Sequence, residues 1–202
     1  MTSSPRPPIT LASTSSTRQT ILRNAGVTFE AVGSGVDEDA AKAGLLAEGA
    51  SPRDVADALA ELKAFKVSAK RPGLVIGSDQ TLELDGALID KVDTVEQARE
   101  RLIQLRGKVH KLHSAVVVAR DGQPIWRIVE TSSLSVRSFS DAWLDDYIER
   151  NSPDILWSVG CYLLEGEGVQ LFDRIDGDYF AILGLPVTRL FDFLRLHGAL
   201  QT

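Results

Sequence analysis

The sequence is poor in the features by which several protein classes are recognised. Cys161 is the single cysteine among 202 residues, which excludes a disulfide within the chain and a zinc site built from several thiolates. No apolar run approaches the roughly 20 residues that span a bilayer, and the opening residues MTSSPRPP contain no apolar core of a secretory signal. We therefore predict a cytoplasmic protein outside the membrane, with Cys161 as a buried structural thiol.

Clustered positive charge is also missing. The chain has 22 Lys and Arg residues against 28 Asp and Glu residues, and no block of basic residues stands out. This argues against a surface for duplex nucleic acid or anionic membrane. The composition, 44% hydrophobic and 25% charged, is that of a globular protein. We expect a flexible lead-in over residues 1–8 and one α/β domain over residues 9–202, in which phosphates would be bound by a few placed cations.

Several catalytic signatures are absent as well. The sequence contains no G-x-x-x-x-G-K-[ST] loop, no G-x-G-x-x-G after a strand and no G-x-S-x-G elbow. His110 and His113 lie in strand-like sequence, where a spacing of three directs side chains to opposite faces. We therefore predict hydrogen-bonded strand histidines rather than ligands of a shared metal.

The elements that are present alternate between strand and helix. Ile9–Ser13 is a short apolar run, followed by a hydroxyl-rich turn and a helix over Thr17–Asn24 that Gly26 ends. Ser51 and Pro52 predict the start of a second helix, whose apolar stripe is Val55, Leu59 and Leu62. This alternation favours a layered α/β fold.

Turn and cap signals divide the rest of the chain. They are a tight turn at Asp85-Gly86, a capping box formed by Thr94 and Gln97, a hairpin around Asp121-Gly122, a helix cap at Ser140 and a closing helix over Val187–Leu196. The hairpin and the two later helices continue the alternation, so we predict no long linker.

An aspartate interrupts the stretch LVIGSDQTLELDG. We predict that the apolar start of this stretch is a buried strand and that Asp79, which follows Gly77, leaves the sheet at its ligand-binding end. A carboxylate in that place suits a catalytic role, and the alternative is a side-chain cap of a turn.

Other charged and hydroxyl residues form a weaker set. In LASTSSTR, the hydroxyls precede a helix whose first turn carries Arg18, so the segment predicts either an anion site with a bidentate arginine or plain helix capping. Glu38, Lys63 and Lys91 are each interpretable as solvated charges. Together, they would supply a carboxylate for a hard cation and lysines for phosphate oxygens.

Six segments in order resemble the Maf family of nucleoside triphosphate pyrophosphatases: LASTSSTRQTILRNAGVTFE, VDE, LAELKA, IGSDQ, DKVDTVEQARERLIQLRGKVHKLHSAV and EGEGVQLFDRIDGDYFAILGLP. The resemblance implies an inosine triphosphatase-like fold, with an elongated mixed sheet flanked by helices and two lobes around a central cleft. It implies hydrolysis of a nucleoside triphosphate to its monophosphate and pyrophosphate with Mg²⁺ or Mn²⁺. It also implies a homodimer that acts in nucleotide-pool sanitisation or septum formation.

The resemblance assigns roles to individual residues. Asp79 matches the catalytic aspartate, which acts as general base or holds the metal, and Glu38 matches the acidic position that assists with the metal. The positions that grip the triphosphate match four residues, which are Ser13, Arg18, Lys63 and Lys91.

Departures from the family pattern concern phosphate binding. The family commonly has S-P-R-R after the first strand. This chain has Ser16-Thr17-Arg18 there and keeps only the second arginine. Where the family commonly has a lysine followed by a proline, this chain has Lys91-Val92, which keeps the charge and lacks the proline. Ser158 replaces a further lysine of the family pattern. These losses keep open the alternative of a non-catalytic, nucleotide-binding regulator of septum formation.

Two segments bear on the substrate. Relatives that act on dTTP and UTP carry G-A-D-T where this chain has Gly77–Gln80, and a glutamine in place of Glu165. GSDQ together with Glu165 is more similar to the 7-methyl-GTP branch. A carboxylate suits that substrate, because it accepts hydrogen bonds from a guanine edge. Trp157 either stacks on the methylated base or is a core side chain, and the core is the favoured interpretation. A dTTP/UTP-specific enzyme stays the other alternative.

Overall fold

A computed structural model describes residues 6–201 of the protein. The strands are β1 (Ile9–Leu11), β2 (Glu30–Ala31), β3 (Leu74–Leu84), β4 (Ala87–Ile89), β5 (Val109–Arg120), β6 (Gln123–Val136) and β7 (Phe172–Asp176). The helices are α1 (Ser16–Asn24), α2 (Glu38–Ala47), α3 (Pro52–Ser68), α4 (Val95–Leu105), α5 (Asp141–Asn151), α6 (Tyr179–Ile182) and α7 (Val187–Leu196), with 3₁₀ turns at Asp154–Trp157 and Glu167–Leu171. The predicted α/β class is confirmed.

The strands form one mixed sheet of seven in the order β2-β1-β3-β5-β6-β7, with β4 paired to β3. Strand β1 runs parallel to β2 and β3, whereas β4 and β7 pair antiparallel with their neighbours. The last pair of β1 with β3 is Leu11 opposite Ile76. Strand β3 therefore extends well beyond the carboxyl end of its parallel neighbour.

Alternating side chains of the sheet are covered by different helices. Small residues of α3, which are Ala56, Ala60 and Ala64, pack against Ala115, Val117 and Ala119 of β5. The intervening residues Val116 and Val118 pack instead with Leu11, Ile76 and apolar residues of α1 and α7. The period of two along β5 thus separates two apolar layers, one on each face of the sheet.

The chain forms two compact units. The first contains the described residues 6–80, 114–130 and 178–201, and the second contains residues 81–113 and 131–177. A single domain over residues 9–202 stays a prediction, and residues 1–5 of the expected lead-in lie outside the described residues. No helix within residues 6–201 is long and apolar enough to cross a membrane.

Turns and caps confirm the local predictions. Asp85-Gly86 and Asp121-Gly122 all have positive φ angles, between 52° and 84°, as hairpin turns of two residues require. Thr94 and Gln97 form the predicted capping box at the start of α4. Ser140 caps α5 through Trp143 N. The prediction for Leu62 is wrong, because this side chain is 41% exposed.

Helical geometry explains the exposure of Leu62. Four residues after Leu59, the buried position is taken by Lys63, and Ala60 and Ala64 complete the inner face of α3. Because 3.6 residues make one turn, Leu62 falls outside this face. A lysine therefore occupies a place that hydrophobicity alone assigned to a leucine.

Candidate functional site

The site of the first unit is built where α3 lies close to β3. A Cβ at Gly77 would overlap the carbonyl oxygen of Ala60 and lie 2.6 Å from Ala64 N, so only glycine permits this approach. Asp79, two residues further along the strand, points to the same face and meets Lys63. The close helix thus delivers a lysine from its buried face to a carboxylate in the sheet.

The prediction that Asp79 leaves the sheet is wrong, since β3 continues through it to Leu84. The strand persists because it gains antiparallel pairing with β4 at Leu82–Leu84. The parallel pairing with β1 nevertheless ends at Ile76. Asp79 therefore lies past the carboxyl end of β1, where open α/β sheets bind ligands.

Lys63 bridges two carboxylates. Its Nζ atom lies 2.7 Å from Asp79 Oδ1 and 2.8 Å from Glu38 Oε2. Lys63 is only 5% exposed and Asp79 7%, whereas the side chain of Glu38 is 46% exposed. One buried ammonium thus holds an inner and an outer carboxylate within one charged cluster.

Helix α2 places the outer carboxylate. Asp37 caps this helix, and its Oδ1 atom accepts a hydrogen bond of 3.0 Å from Ala40 N. Glu38 is the first helical residue, so the cap fixes the backbone from which its side chain reaches Lys63.

Opposing effects act on the protonation of Asp79. Burial raises the pKa of Asp79 above its ordinary value, and the positive charges of Lys63 and Arg18 oppose that rise. The net direction is upward. A raised carboxyl pKa favours proton acceptance, because a stronger base takes a proton more readily near neutral pH.

Arg18 lies in the first turn of α1, after the N-cap Ser15. Its Nε donates to Gly184 O at 2.9 Å, and its Nη1 donates to Ser78 O at 2.9 Å and to Ser13 Oγ at 3.4 Å. A bidentate contact uses two N–H groups on one edge of the guanidinium, either Nη2 with Nε or Nη2 with Nη1. Because both of those partners already donate to protein oxygens, the geometry does not support the expected bidentate grip on a phosphate.

Ser13 follows β1 and is buried. Its Oγ atom accepts hydrogen bonds from Ser15 N, at 3.2 Å, and from Arg18 Nη1. The structure therefore brings together five of the seven candidate residues in the first unit, namely Ser13, Arg18, Glu38, Lys63 and Asp79.

The other two candidates, Lys91 and Glu165, belong to the second unit. Lys91 follows β4 and lines an open pocket of about 500 Å³ together with Arg101 and polar residues of α4. Arg101 Nη1 donates to Asp90 O at 2.7 Å and to Val159 O at 3.0 Å, so it fixes the backbone next to Lys91. No sequence signal distinguished Arg101 from the other charges of α4.

Glu165 is exposed, in a turn between the two 3₁₀ segments of the second unit. Trp157 ends the first of these segments and is 77% exposed. The prediction that Trp157 is a core side chain is therefore wrong. An indole left in solvent is free to contact a planar group.

The histidines and the cysteine behave as predicted. His110 Nε2 hydrogen bonds with Tyr162 Oη at 2.7 Å, and His113 contacts Glu83 and Thr131. Cys161 is fully buried, and burial raises the pKa of its thiol to about 11. A thiol with so high a pKa is a poor nucleophile at neutral pH, so Cys161 is a packing residue.

Comparison with known proteins is consistent with this architecture. The family model described as "Maf-like protein" matches residues 8–197. A protein of Caulobacter vibrioides named "Nucleoside triphosphate pyrophosphatase" is 74% identical over 193 residues, which cover 96% of this chain and 97% of that protein. Proteins of the same name from Maricaulis maris and Sphingopyxis alaskensis are 51% and 48% identical, covering 95% and 93% of this chain and 97% and 96% of their own. The chain belongs to the Maf family.

Proposed function

We propose that the protein is a nucleoside triphosphate pyrophosphatase, a hydrolase that converts a nucleoside triphosphate to its monophosphate and pyrophosphate. The observation that carries this proposal is the buried Asp79, held by Lys63 at 2.7 Å and paired through it with Glu38. The names of the relatives support the same reaction. Under this proposal, the protein works in the cytoplasm on the nucleotide pool.

Asp79 serves as the general base. It accepts a proton from water, whose oxygen forms a bond to the α phosphorus while the bond to the bridging oxygen breaks. The electron pair of that bond leaves with pyrophosphate. Lys63 and Arg18 supply positive charge beside the reaction, which stabilises the negative charge that develops on the phosphate oxygens. Ser13 and Lys91 complete the proposed phosphate contacts.

A divalent cation fits the donor set. Mg²⁺ is commonly bound by one or two carboxylates together with substrate phosphates and water, and Glu38 and Asp79 supply two carboxylates around Lys63. Within residues 6–201, no cluster of three or more His, Cys, Asp or Glu side chains forms a metal cage. We therefore assign Mg²⁺ or Mn²⁺ to these two residues and the nucleotide together. When bound, the cation lowers the pKa of coordinated water and neutralises phosphate charge.

The preferred substrate in this proposal is 7-methyl-GTP. Two features of the second unit support it, the exposed carboxylate of Glu165 and the exposed indole of Trp157. The carboxylate is able to accept hydrogen bonds from a guanine edge, and an indole face attracts a cationic methylated base. The alternative of dTTP and UTP predicts the opposite preference in a substrate panel.

The decisive assay is pyrophosphate release from canonical and modified triphosphates, with Mg²⁺ or Mn²⁺. We expect pyrophosphate rather than orthophosphate, and ¹⁸O from labelled water should appear in the monophosphate. D79N should abolish turnover while keeping the circular dichroism spectrum, and the matched control D39N alters a fully solvated carboxylate of α2. Undiminished turnover in D79N would refute the role of Asp79.

Binding without hydrolysis across the whole panel would instead favour the septum-formation regulator. The homodimer is part of the same proposal, and light scattering should give about twice the monomer mass. A monomer at working concentrations would contradict it.

A further inference from the structure

Strand β3 has a second polar face, opposite to that of Asp79. Because side chains alternate along a strand, Ser78 and Gln80 point away from α3, towards the backbone of α6 and its turn. Both sequence neighbours of Asp79 thus hydrogen bond to the same segment, α6 and the turn that follows it. Gln80 belongs to the GSDQ segment that distinguishes the family branches, and the family resemblance gives it no structural role.

Gln80 contacts the last two backbone carbonyls of the short helix α6. The last carbonyls of a helix lack their usual donors within it, and Gln80 Nε2 donates to Ile182 O at 3.0 Å. It also lies 3.1 Å from Ala181 O, which accepts in addition from Gly184 N at 2.8 Å. The same nitrogen lies 2.7 Å from Ser114 Oγ. Since Ser114 donates its own proton to Ala181 O at 2.6 Å, its oxygen is left to accept from Gln80. The two amide protons of Gln80 are thus shared among three oxygen atoms.

Ser78 binds the turn that follows α6. Its Oγ donates to Gly184 O at 3.0 Å, and the same carbonyl accepts from Arg18 Nε at 2.9 Å. Arg18 Nη1 in turn donates to the carbonyl of Ser78. Ser78, Gly184 and Arg18 therefore form a closed ring of hydrogen bonds in which both lone pairs of the Gly184 carbonyl are used.

Gly184 is adapted to this ring. Its φ angle is +96°, and a Cβ at this position would lie 3.4 Å from Arg18 Nε. A side chain would therefore strain the backbone and press against the guanidinium. The turn is shaped to bring its carbonyl between Ser78 and Arg18.

We propose that Gln80 is a positioning residue for Asp79: with Ser78, it tethers β3 to α6 and its turn, and so fixes the strand position from which Asp79 meets Lys63. This inference rests on the proposed function for its catalytic consequence. Reacting groups must be held within about 0.5 Å of their productive geometry. Tethers on both flanks of Asp79 restrict the strand from sliding or twisting at that residue.

The amide group is the chemical requirement at position 80. Its nitrogen faces three oxygen atoms, so it must donate protons. A carboxylate would repel these oxygens. An apolar side chain would take the donor from the buried Ile182 carbonyl, whereas Ala181 O would keep Ser114 Oγ and Gly184 N. Methionine, which has nearly the same length, removes the donor without opening a large cavity.

The test compares the purified Q80M variant with the wild type and with Q123M, a change at an exposed glutamine of β6. We expect kcat for pyrophosphate release to fall by about 10-fold to 100-fold, as small displacements of catalytic groups do, while KM stays within about twofold. Q123M should match the wild type. A folded Q80M with kcat within about twofold of the wild type would overturn the inference, as would a loss confined to KM.

A double-mutant cycle with S114A tests the tether itself. If Gln80 and Ser114 act as one unit, the loss in kcat of the double variant is clearly smaller than the product of the two single losses. Independent, multiplicative losses would count against the tether.

Hydrogen exchange separates this inference from the proposed function, because it needs no substrate. Q80M should speed amide exchange in peptides covering residues 74–84 and 179–185 and leave α5 unchanged. Unaltered exchange in both peptides would overturn the tether. A wild-type protein that releases no pyrophosphate would refute the proposed function alone.

Discussion

Replacing Lys63 by methionine tests the charged cluster most directly. Methionine keeps an unbranched apolar stem of similar reach, so the change removes the ammonium and little packing. It leaves Asp79 buried without the partner 2.7 Å away. Glu38 loses the same partner, but its side chain is 46% exposed and is resolvated by water.

The magnitude follows from the burial of Asp79. Breaking one side of a buried ion pair costs about 3–5 kcal/mol. Protonation limits this loss, because Asp79 avoids an unpaired charge by binding a proton. For a carboxyl of ordinary pKa near 3.9, protonation at pH 7 costs about 1.4 kcal/mol for each of about three pH units, or about 4 kcal/mol. We therefore expect K63M to lose about 3–4 kcal/mol of unfolding free energy at pH 7.

The pH dependence has a definite sign. Burial already raises the pKa of Asp79 in the native protein, against the charges of Lys63 and Arg18, and removing Lys63 raises it further. A native carboxyl with a raised pKa holds more protons than the unfolded one, so stability falls as pH rises through that window. The deficit of K63M should therefore shrink between pH 7 and pH 5.

Urea unfolding at pH 5, 7 and 8 measures this deficit from the midpoint and slope of each curve. K66M is the matched control, since Lys66 is an exposed lysine of the same helix, and we expect a change within about 1 kcal/mol. A K63M deficit below about 1 kcal/mol at pH 7, or one that is equal at pH 5 and pH 8, would refute the reasoning.

Three further changes probe other parts of the chain. G77A should lower the free energy of unfolding by about 1–3 kcal/mol, because the new methyl group overlaps Ala60 O and crowds Ala64 N; a stable G77A would show that α3 is free to move away. T94A should cost about 1 kcal/mol by removing the cap of α4, and an unchanged urea midpoint would contradict this. E165Q should shift the ratio of kcat/KM values from 7-methyl-GTP towards dTTP and UTP, and an unaltered ratio in a substrate panel would exclude Glu165 from base selection.

Local signals predicted much of the fold. The caps at Ser51, Thr94 and Ser140, and the Asp-Gly turns, depend on neighbours within a few residues, and the structure contains them. Local signals did not predict the end of the strand that contains Asp79. A glycine before polar residues was interpreted as the end of a strand, but Gly77 is required by a helix that contacts it from a distant part of the sequence.

The sequence also predicted which residues form the candidate site, but it did not predict their contacts. Arg18 was expected to grip a phosphate, and most of its donors serve Ser13, Ser78 and Gly184. Gln80 was expected only to bear on the substrate, as part of GSDQ, although it joins β3 to α6 across about a hundred residues of sequence. Hydrogen bonds between such distant residues leave no periodic pattern in the chain.

By itself, the sequence determined the alternation of strands and helices, the positions of their caps and turns, and the family pattern around Asp79, because each depends on residue type and short spacing. Only the tertiary structure decided that Lys63 is buried between Asp79 and Glu38, that Trp157 is exposed, and that Ser78 and Gln80 hydrogen bond to α6 and its turn. These outcomes depend on which helices and strands, distant in sequence, pack together. They also depend on which buried charges and hydrogen-bonding groups then need partners.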